Sequence, residues 1–354
     1  MSSKYDYTGK TIYVGIDVHK NSYSVVITND GIVVKKDRLI ASPADFVCYL
    51  KNNFNGAKIN TAYEAGFSGF HLHRCLIAHD INNIVVHPSA IEVSRERVKN
   101  DKRDALKISA QLASGRLKCI HIPSEEQEAN RRVTRLRSSL MADRVKYGNR
   151  IKALLFQHGL IAANDDTVVS KLWLEKVAKL LETEKSAAGL RYSIQGYSEQ
   201  WLAITKKVKE IDKELAKQAK DEKTIDDIYR STPGIGPLSA RILANELGNM
   251  KQFSSEKKLF SFTGLTPREY SSGDKQCLGS ISKQGRPILR KILIETAWVA
   301  IKKDKNLEVI FEAIAKRAGK KRAIIAVARR LIGRIRSCIM KGEKYKIEKF
   351  ENEL

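Results

Sequence analysis

Thr11-Ile-Tyr-Val-Gly-Ile-Asp17 decides how this chain begins to fold: β-branched and aromatic residues dominate it, which predicts a strand, and the strand ends on a carboxylate. Working outward, Ser22 to Thr28 alternates around Val25 and Val26, Asn29-Asp30-Gly31 supplies a hairpin turn, and Ile32-Val-Val34 starts a third strand. Ser42 is an N-cap for a helix from Pro43 to about Asn52. Ile59 to Tyr63 is a buried strand closing at Glu64, a helix follows over about 69–79, Asn83 to His87 is a strand, and another helix begins at about Asp101.

Three strands leading into alternating strands and helices suit an α/β sheet of the ribonuclease H type over residues 1–122. From Ser124, paired with Gln127 in a capping box, the pattern turns helical. Ile194, Tyr197, Trp201, Ile204, Val208, Ile211 and Leu215 repeat at spacings of three and four, the stripe of a coiled-coil hairpin, of a dimer seam or of an ordinary amphipathic helix. Residues 123–230 form a helical, coiled-coil spacer on this reading, and 231–354 a second, mainly α-helical module. That module opens on the turn Pro233-Gly-Ile-Gly-Pro237. It ends in a tail, Ala315 to Tyr345, with eleven Lys or Arg, one acid (Glu343) and interleaved apolar residues, a pattern that predicts a helix with one buried and one basic face.

Charge narrows the function classes. The 354 residues carry 64 Lys and Arg against 40 Asp and Glu, a net of +24, and a polyanion is the partner such an excess suits, because every neutralised phosphate releases condensed counterions. No run of eighteen apolar residues occurs, and the start Met-Ser-Ser-Lys-Tyr-Asp-Tyr lacks an apolar signal core, so neither a membrane span nor secretion is expected. Five scattered cysteines without a CxxC pair fit reduced cytosolic thiols.

Four acids fall where the α/β reading brings them together. Asp17 lies on the first strand, Glu64 closes another, and Asp101 and Asp104 share one helix face through i,i+3 spacing. Converging carboxylates repel unless divalent cations join them, and Mg²⁺ prefers oxygen ligands, with Mn²⁺ a workable substitute. A pair of such ions stabilises attacking and leaving oxygens in phosphodiester chemistry. Near the other end, Ser271-Ser272-Gly273 stands among Arg268, Lys283, Arg286 and Arg290, a hydroxyl with cations for phosphate oxygens. By chemistry alone a Ser-Gly pair is an ordinary turn, and no histidine lies nearby to activate the hydroxyl.

Taken in order, Tyr13-Val-Gly-Ile-Asp17-Val-His-Lys20, Tyr63-Glu-Ala-Gly66, Asn100-Asp-Lys-Arg-Asp-Ala105, Thr232-Pro-Gly-Ile-Gly236, and Gly264-Leu-Thr-Pro267 through Ser272-Gly273 to Ser282-Lys-Gln-Gly285 resemble the DEDD transposases of the insertion sequence 110 family, its 1111 branch included. The resemblance implies a RuvC-type ribonuclease H domain in which Asp17, Glu64, Asp101 and Asp104 hold metal. It also implies a C-terminal transposase domain whose serine nucleophile is matched best by Ser272, with Ser271 the runner-up. Further implications are cleavage and rejoining of donor and target DNA through a phosphoserine linkage and a homo-oligomer, dimer or tetramer. The resemblance also implies a composite site, carboxylates of one subunit meeting the serine domain of another, and guidance by a noncoding RNA of the element. A cytoplasmic, nucleoid-associated protein of a bacterium or archaeon follows from the same likeness.

Other residues are weighed beside these. Thr232 to Gly236 resembles a helix-hairpin-helix turn whose amides meet DNA phosphate, with a structural turn the alternative; Lys320, Lys321 and Arg322 in the basic tail are candidate nucleic-acid contacts. His71, His73 and His79 are structural, His19 shares the face of Asp17, and Trp173, Trp201 and Trp298 belong to the core. Two other classes stay open at this point: a structure-selective nuclease that hydrolyses branched DNA with the carboxylates alone, and a non-catalytic nucleic-acid binder.

Overall fold

The computed structural model describes residues 6–88, 91, 101–269 and 278–347, with the side chains of Asp101, Lys102 and Leu278 left out. The chain divides into two compact units, Met1–Ile122 and Pro123–Leu354.

In the first unit, β1 (Thr11–Val18), β2 (Ser22–Asn29) and β3 (Ile32–Ile40) form an antiparallel meander. Asp30 and Gly31 both take positive φ, 47° and 78°, as a two-residue hairpin turn requires. Helix α1 (Pro43–Asn53) starts where Ser42 Oγ accepts from the amide of Asp45. Strand β4 (Lys58–Glu64) then inserts beside β1 in parallel, and after α2 (His71–Ala78), β5 (Asn82–Val86) pairs parallel with β4. The sheet order is β3-β2-β1-β4-β5. Parallel neighbours need crossovers; α1 and α2 lie in these two connections and cover the same face, and α3, after β5, covers the other.

Each face has its own core. Ile12, Val14 and Ile16 point with Tyr63 toward Phe46 and Leu50 of α1 and Leu72 and Leu76 of α2. The opposite face packs Ala62 and Val86 against Ile108 of α3 (Asp101–Ala113). Strand β3 is the free edge; Ile32 and Ile40 are exposed, and Lys35, Lys36 and Arg38 along it discourage pairing with another chain.

The second unit begins with α4 (Glu125–Gln157), capped by Ser124 Oγ, which accepts from the amide of Gln127 at 3.1 Å. α5 (Lys171–Thr183) and the 34-residue α6 (Ala188–Asp221) follow. The three-four stripe of α6 is buried at Ile194, Trp201, Val208, Ile211 and Leu215; α4 lies along α6 within the chain and α5 shares the core around Ile194 and Trp201, packing that suits a hairpin and an ordinary amphipathic helix alike.

α7 (Lys223–Arg230), α8 (Pro237–Leu247), α9 (Glu256–Thr263), the hairpin β6 (Pro267–Glu269) and β7 (Leu278–Ile281), then α10 (Pro287–Ala300), α11 (Lys305–Ala318) and α12 (Lys320–Lys341) complete the unit. Their largest core gathers Leu243, Leu247, Leu289, Leu293, Val327 and Leu331. The basic tail is two helices: Gly319, at φ 85°, ends α11 and caps α12. Trp298 departs from expectation, being 40% exposed on α10 with its ring edge-on to Phe311, whereas Trp173 and Trp201 are buried. No helix among the described residues is long and apolar enough to cross a membrane.

Candidate carboxylate and serine sites

Register fixes the carboxylate end of the first unit. Gly15 pairs with Ala62 and Ile16 with Tyr63 across the parallel β1–β4 seam, so Asp17 and Glu64 are neighbours one residue further on. Side chains alternate along a strand, hence Asp17 lies on the face of Gly15, and Glu64 on that of Ala62. That is the face covered by α3.

The helix sits very close. A Cβ built on Gly15 would come within 1.9 Å of the Ala105 carbonyl oxygen and 2.5 Å of the Ser109 amide, so only glycine permits this contact. Ser109 Oγ donates to the carbonyl of Tyr13 at 3.0 Å and shares a 2.7 Å hydroxyl contact with Thr28. Ser109 therefore stands over Tyr13 and Ala105 over Gly15. One more helical turn, about 6 Å, is Asp101, and two more strand residues, also about 6–7 Å, is Asp17. The backbone thus runs α3 antiparallel to β1 and starts the helix level with Asp17.

Asp17 is partly exposed and its Oδ2 lies 3.3 Å from Nε2 of His19, the shared face expected for these two residues. Glu64 is exposed at its strand end. Asp104 is half exposed and ion-paired one turn along to Lys107 at 3.6 Å. The side chain of Asp101 lies outside the described residues. Among the described residues no three acidic, histidine or cysteine side chains are gathered closely enough to hold an ion together. What the fold gives is two hard oxygen donors side by side at strand ends, with a helix bearing two more acids over the same face; that donor chemistry fits Mg²⁺ or Mn²⁺. Of the α2 histidines, His73 takes a structural place, its Nδ1 meeting the side-chain amide of Asn83 at 2.8 Å with burial pushing its pKa down, and His71 is exposed.

The serine segment is built on an interlock of backbone. Gly264, left-handed at the end of α9, approaches Gln284 so that a Cβ would lie 1.9 Å from its carbonyl oxygen; Gly285 approaches Phe262 to 2.1 Å in the same way. The amide of Ser282 donates to Thr266 at 2.7 Å and that of Lys283 to Gly264 at 3.3 Å. Nη1 of Arg290 donates to the carbonyls of Gln284, Gly285 and Thr263, which gives it a scaffold task in closing this base. Above it β6 and β7 pair through Pro267–Ile281 and Glu269–Leu278. Ser271 and Ser272 fall between those strands in sequence, outside the described residues. Arg268, Lys283 and Arg286 are exposed around the same base, and Lys320, Lys321 and Arg322 are exposed at the start of α12. Arg317 and Arg329 line a cavity together with Lys321 and Arg322; the sequence hid them because Gly319 breaks the tail into two helices and brings their cations together.

The Thr232-to-Gly236 turn does link two helices, α7 and α8. Gly234 takes φ 90° and leaves no room for a Cβ, which would lie 2.8 Å from Cβ of Val299. Behind it lies a buried polar knot: Arg241 of α8, 1% exposed, pairs with Asp226 and Glu222, both at 2.8 Å. Burial outweighs the arginine and pushes Asp226 up to about 6. At the other end of α8, Arg135 clasps Glu246 with two 2.9 Å bonds, and Arg131 donates to the carbonyls of Asn245 and Glu246.

A transposase family of the IS110 DEDD type matches residues 14–159, and the family described as "Transposase IS116/IS110/IS902 family" matches residues 226–310. The chain is 27% identical to the transposase for insertion sequence element IS1533 of Leptospira borgpetersenii, over 90% of this chain and 93% of that protein. It is 27% identical to the transposase for insertion sequence element IS1111A of Coxiella burnetii, over 78% of this chain and 76% of the relative. A putative transposase of Sinorhizobium fredii is 29% identical over 76% and 74% of the two chains.

Proposed function

Since the chain is a transposase of the IS110 family of insertion sequences, we propose that it cuts and rejoins DNA with two chemical groups carried by its two units, a carboxylate metal site and a serine nucleophile. The observation that carries this reading is the placement of Asp17 and Glu64 on adjacent parallel strand ends, on the face where α3 is seated against Gly15. The sheet order β3-β2-β1-β4-β5, three antiparallel strands and then parallel ones, supports a ribonuclease H fold of the RuvC type.

Asp17, Glu64, Asp101 and Asp104 would hold the divalent ions, Mg²⁺ or Mn²⁺, which polarise phosphate oxygens when bound. The domain boundaries we propose are 1–122 for this part, 123–230 for the helical spacer and 231–354 for the serine part. Ser272 attacks the scissile phosphorus through Oγ, a phosphoserine ester forms, and the bridging oxygen leaves as a strand-end hydroxyl. A second strand-end hydroxyl then attacks the same phosphorus and restores the serine, so one phosphodiester is exchanged for another without hydrolysis. No histidine occurs in residues 262–286 to take the Oγ proton, so activation falls to groups outside this segment, supplied by a second copy in a dimer or tetramer. Arg268, Lys283, Arg286 and the start of α12 neutralise phosphate. The net charge of +24 suits a noncoding RNA of the element as well as donor and target DNA, in the cytoplasm of a bacterial or archaeal cell.

A plasmid carrying the element and its flanks, incubated with full-length chain, the copurifying RNA and Mg²⁺, tests the reading. Asp17→Asn and Ser272→Ala are each expected to abolish joined product while DNA binding persists, and Ser271→Ala to retain joining. Undiminished joining by Ser272→Ala would refute the serine half; undiminished joining by Asp17→Asn, the metal half.

A further inference from the structure

We propose that the cavity beside the β6–β7 hairpin holds an unpaired DNA nucleotide, its base inside and its flanking phosphates on the rim. The proposal rests on the reading of that hairpin as the nucleophile's support.

The cavity measures about 610 Å³, in the range of small-ligand sites. Its floor is apolar: Pro267 and Ile281 come from the hairpin, Ile314 from α11 and Ile325 from α12. Its rim is cationic, with Arg317, Lys321, Arg322 and Arg329, and none of the four is engaged by a carboxylate among the described residues. A phosphate-only track needs the cations and has no use for an apolar well. An uncharged lipid or apolar protein segment would use the well and leave the four cations unmatched. A nucleotide uses both, since its base has an apolar face and its phosphate a charge.

Ile314, Ala326 and Arg329 also border a second hollow of about 660 Å³ whose lining adds Arg330 and Arg334 and one acid, Glu256, so a strand leaving the cavity has a groove of net positive charge to follow along α12. DNA is the assigned occupant because the walls of the cavity include the two strands that flank Ser271 and Ser272 in sequence, where the strand to be cut is presented. An extrahelical nucleotide lodged here would hold the adjoining phosphate in place, making the cavity a positioning site.

The test is equilibrium binding of full-length chain, without Mg²⁺, to fluorescein-labelled oligothymidine and to an abasic deoxyribose-phosphate chain of equal length and charge. Oligothymidine is expected to bind about tenfold tighter, the order of one lodged base. Ala326→Phe, which fills the cavity and changes no charge, is expected to erase that preference and leave abasic binding unaltered. Ile314→Trp fills it from the other wall should the first variant fail to fold, melting being checked for both. Equal binding of the two chains by the unmodified protein overturns the proposal, as does a preference that survives filling. Oligouridine bound as tightly as oligothymidine, and lost in the same variant, overturns the assignment to DNA. Undiminished joining by Ser272→Ala refutes the nucleophile assignment, and an absent preference for oligothymidine, or one that survives filling, refutes the cavity assignment, so the two failures give different results.

Discussion

Gly15 and Ala105 meet so closely that the Cβ of any other residue at position 15 would lie 1.9 Å from the Ala105 carbonyl oxygen. Gly15→Ala must therefore lift α3 off β1 or bend the strand. The expected cost is about 1–3 kcal/mol by denaturant unfolding, the range for overpacked cores. It should come with loss of metal-dependent strand cleavage, because the helix that bears Asp101 and Asp104 loses its register to Asp17. Full activity in a folded Gly15→Ala chain would separate that register from the chemistry.

Chelation should silence cleavage, and Mg²⁺ or Mn²⁺ should restore it. Acidic neighbours repel without a cation, so added Mg²⁺ is also expected to raise the melting temperature of the unmodified chain. Asp17→Asn or Glu64→Gln should remove most of that shift and lower cleavage by on the order of 10²–10³-fold or more. A melting shift that persists in both variants would place the ion elsewhere.

Asp226 offers a pH signature. Its folded pKa, about 6, lies above the ordinary aspartate value of 3.8, with burial the leading cause. Between pH 4 and 6 the folded chain keeps a proton that the unfolded chain has lost. Stability from this group is thus greatest at and below pH 4, falls as pH rises through the window, and levels off above about 6, with a slope near 1.4 kcal/mol per unit for one whole proton. Comparing denaturant unfolding at pH 4, 5, 6 and 7, Asp226→Asn should remove about one proton from the linkage across that interval. An unchanged profile would mean that Asp226 titrates normally.

Arg135→Ala strands a carboxylate. Glu246 is 1% exposed and would keep only part of its neighbourhood, whereas Arg135 itself is 38% exposed. The expected loss is about 2–3 kcal/mol, below the 3–5 of a fully buried pair because water reaches one partner. Arg135→Ala combined with Glu246→Gln should recover part of it, measured as a double-mutant cycle; strict additivity would show that the two side chains do not interact.

The first unit was legible because its signals are local. Strand period, the Asn29-Asp30-Gly31 turn and the Ser42 cap are each written within a few residues, and the structure has them where expected. The seating of α3 was not, since Gly15 and Ala105 lie ninety residues apart and only the folded register shows why a glycine stands there. Distance in sequence hid the α8 clasp as well: Arg135 and Glu246 are separated by 111 positions, and nothing around either announces a partner. The basic tail has the pattern of one helix because its apolar residues keep phase, while Gly319, a single residue at positive φ, divides it. The apolar surroundings of Trp298 in sequence point to the core, but the edge contact with Phe311 covers only part of the ring.

The α4–α6 pair has the dimensions of a lever. With 33 and 34 residues at 1.5 Å each, its arms extend about 50 Å, and α8 is clamped to one end by Arg131 and Arg135. Adding one heptad to both arms would lengthen the reach by roughly 10 Å while leaving the apolar stripe in phase, whereas four extra residues in a single arm would rotate the stripe away from its mate. The distance from the α8 clasp to the far end of the pair is thus a quantity that insertions or deletions can tune in whole heptads.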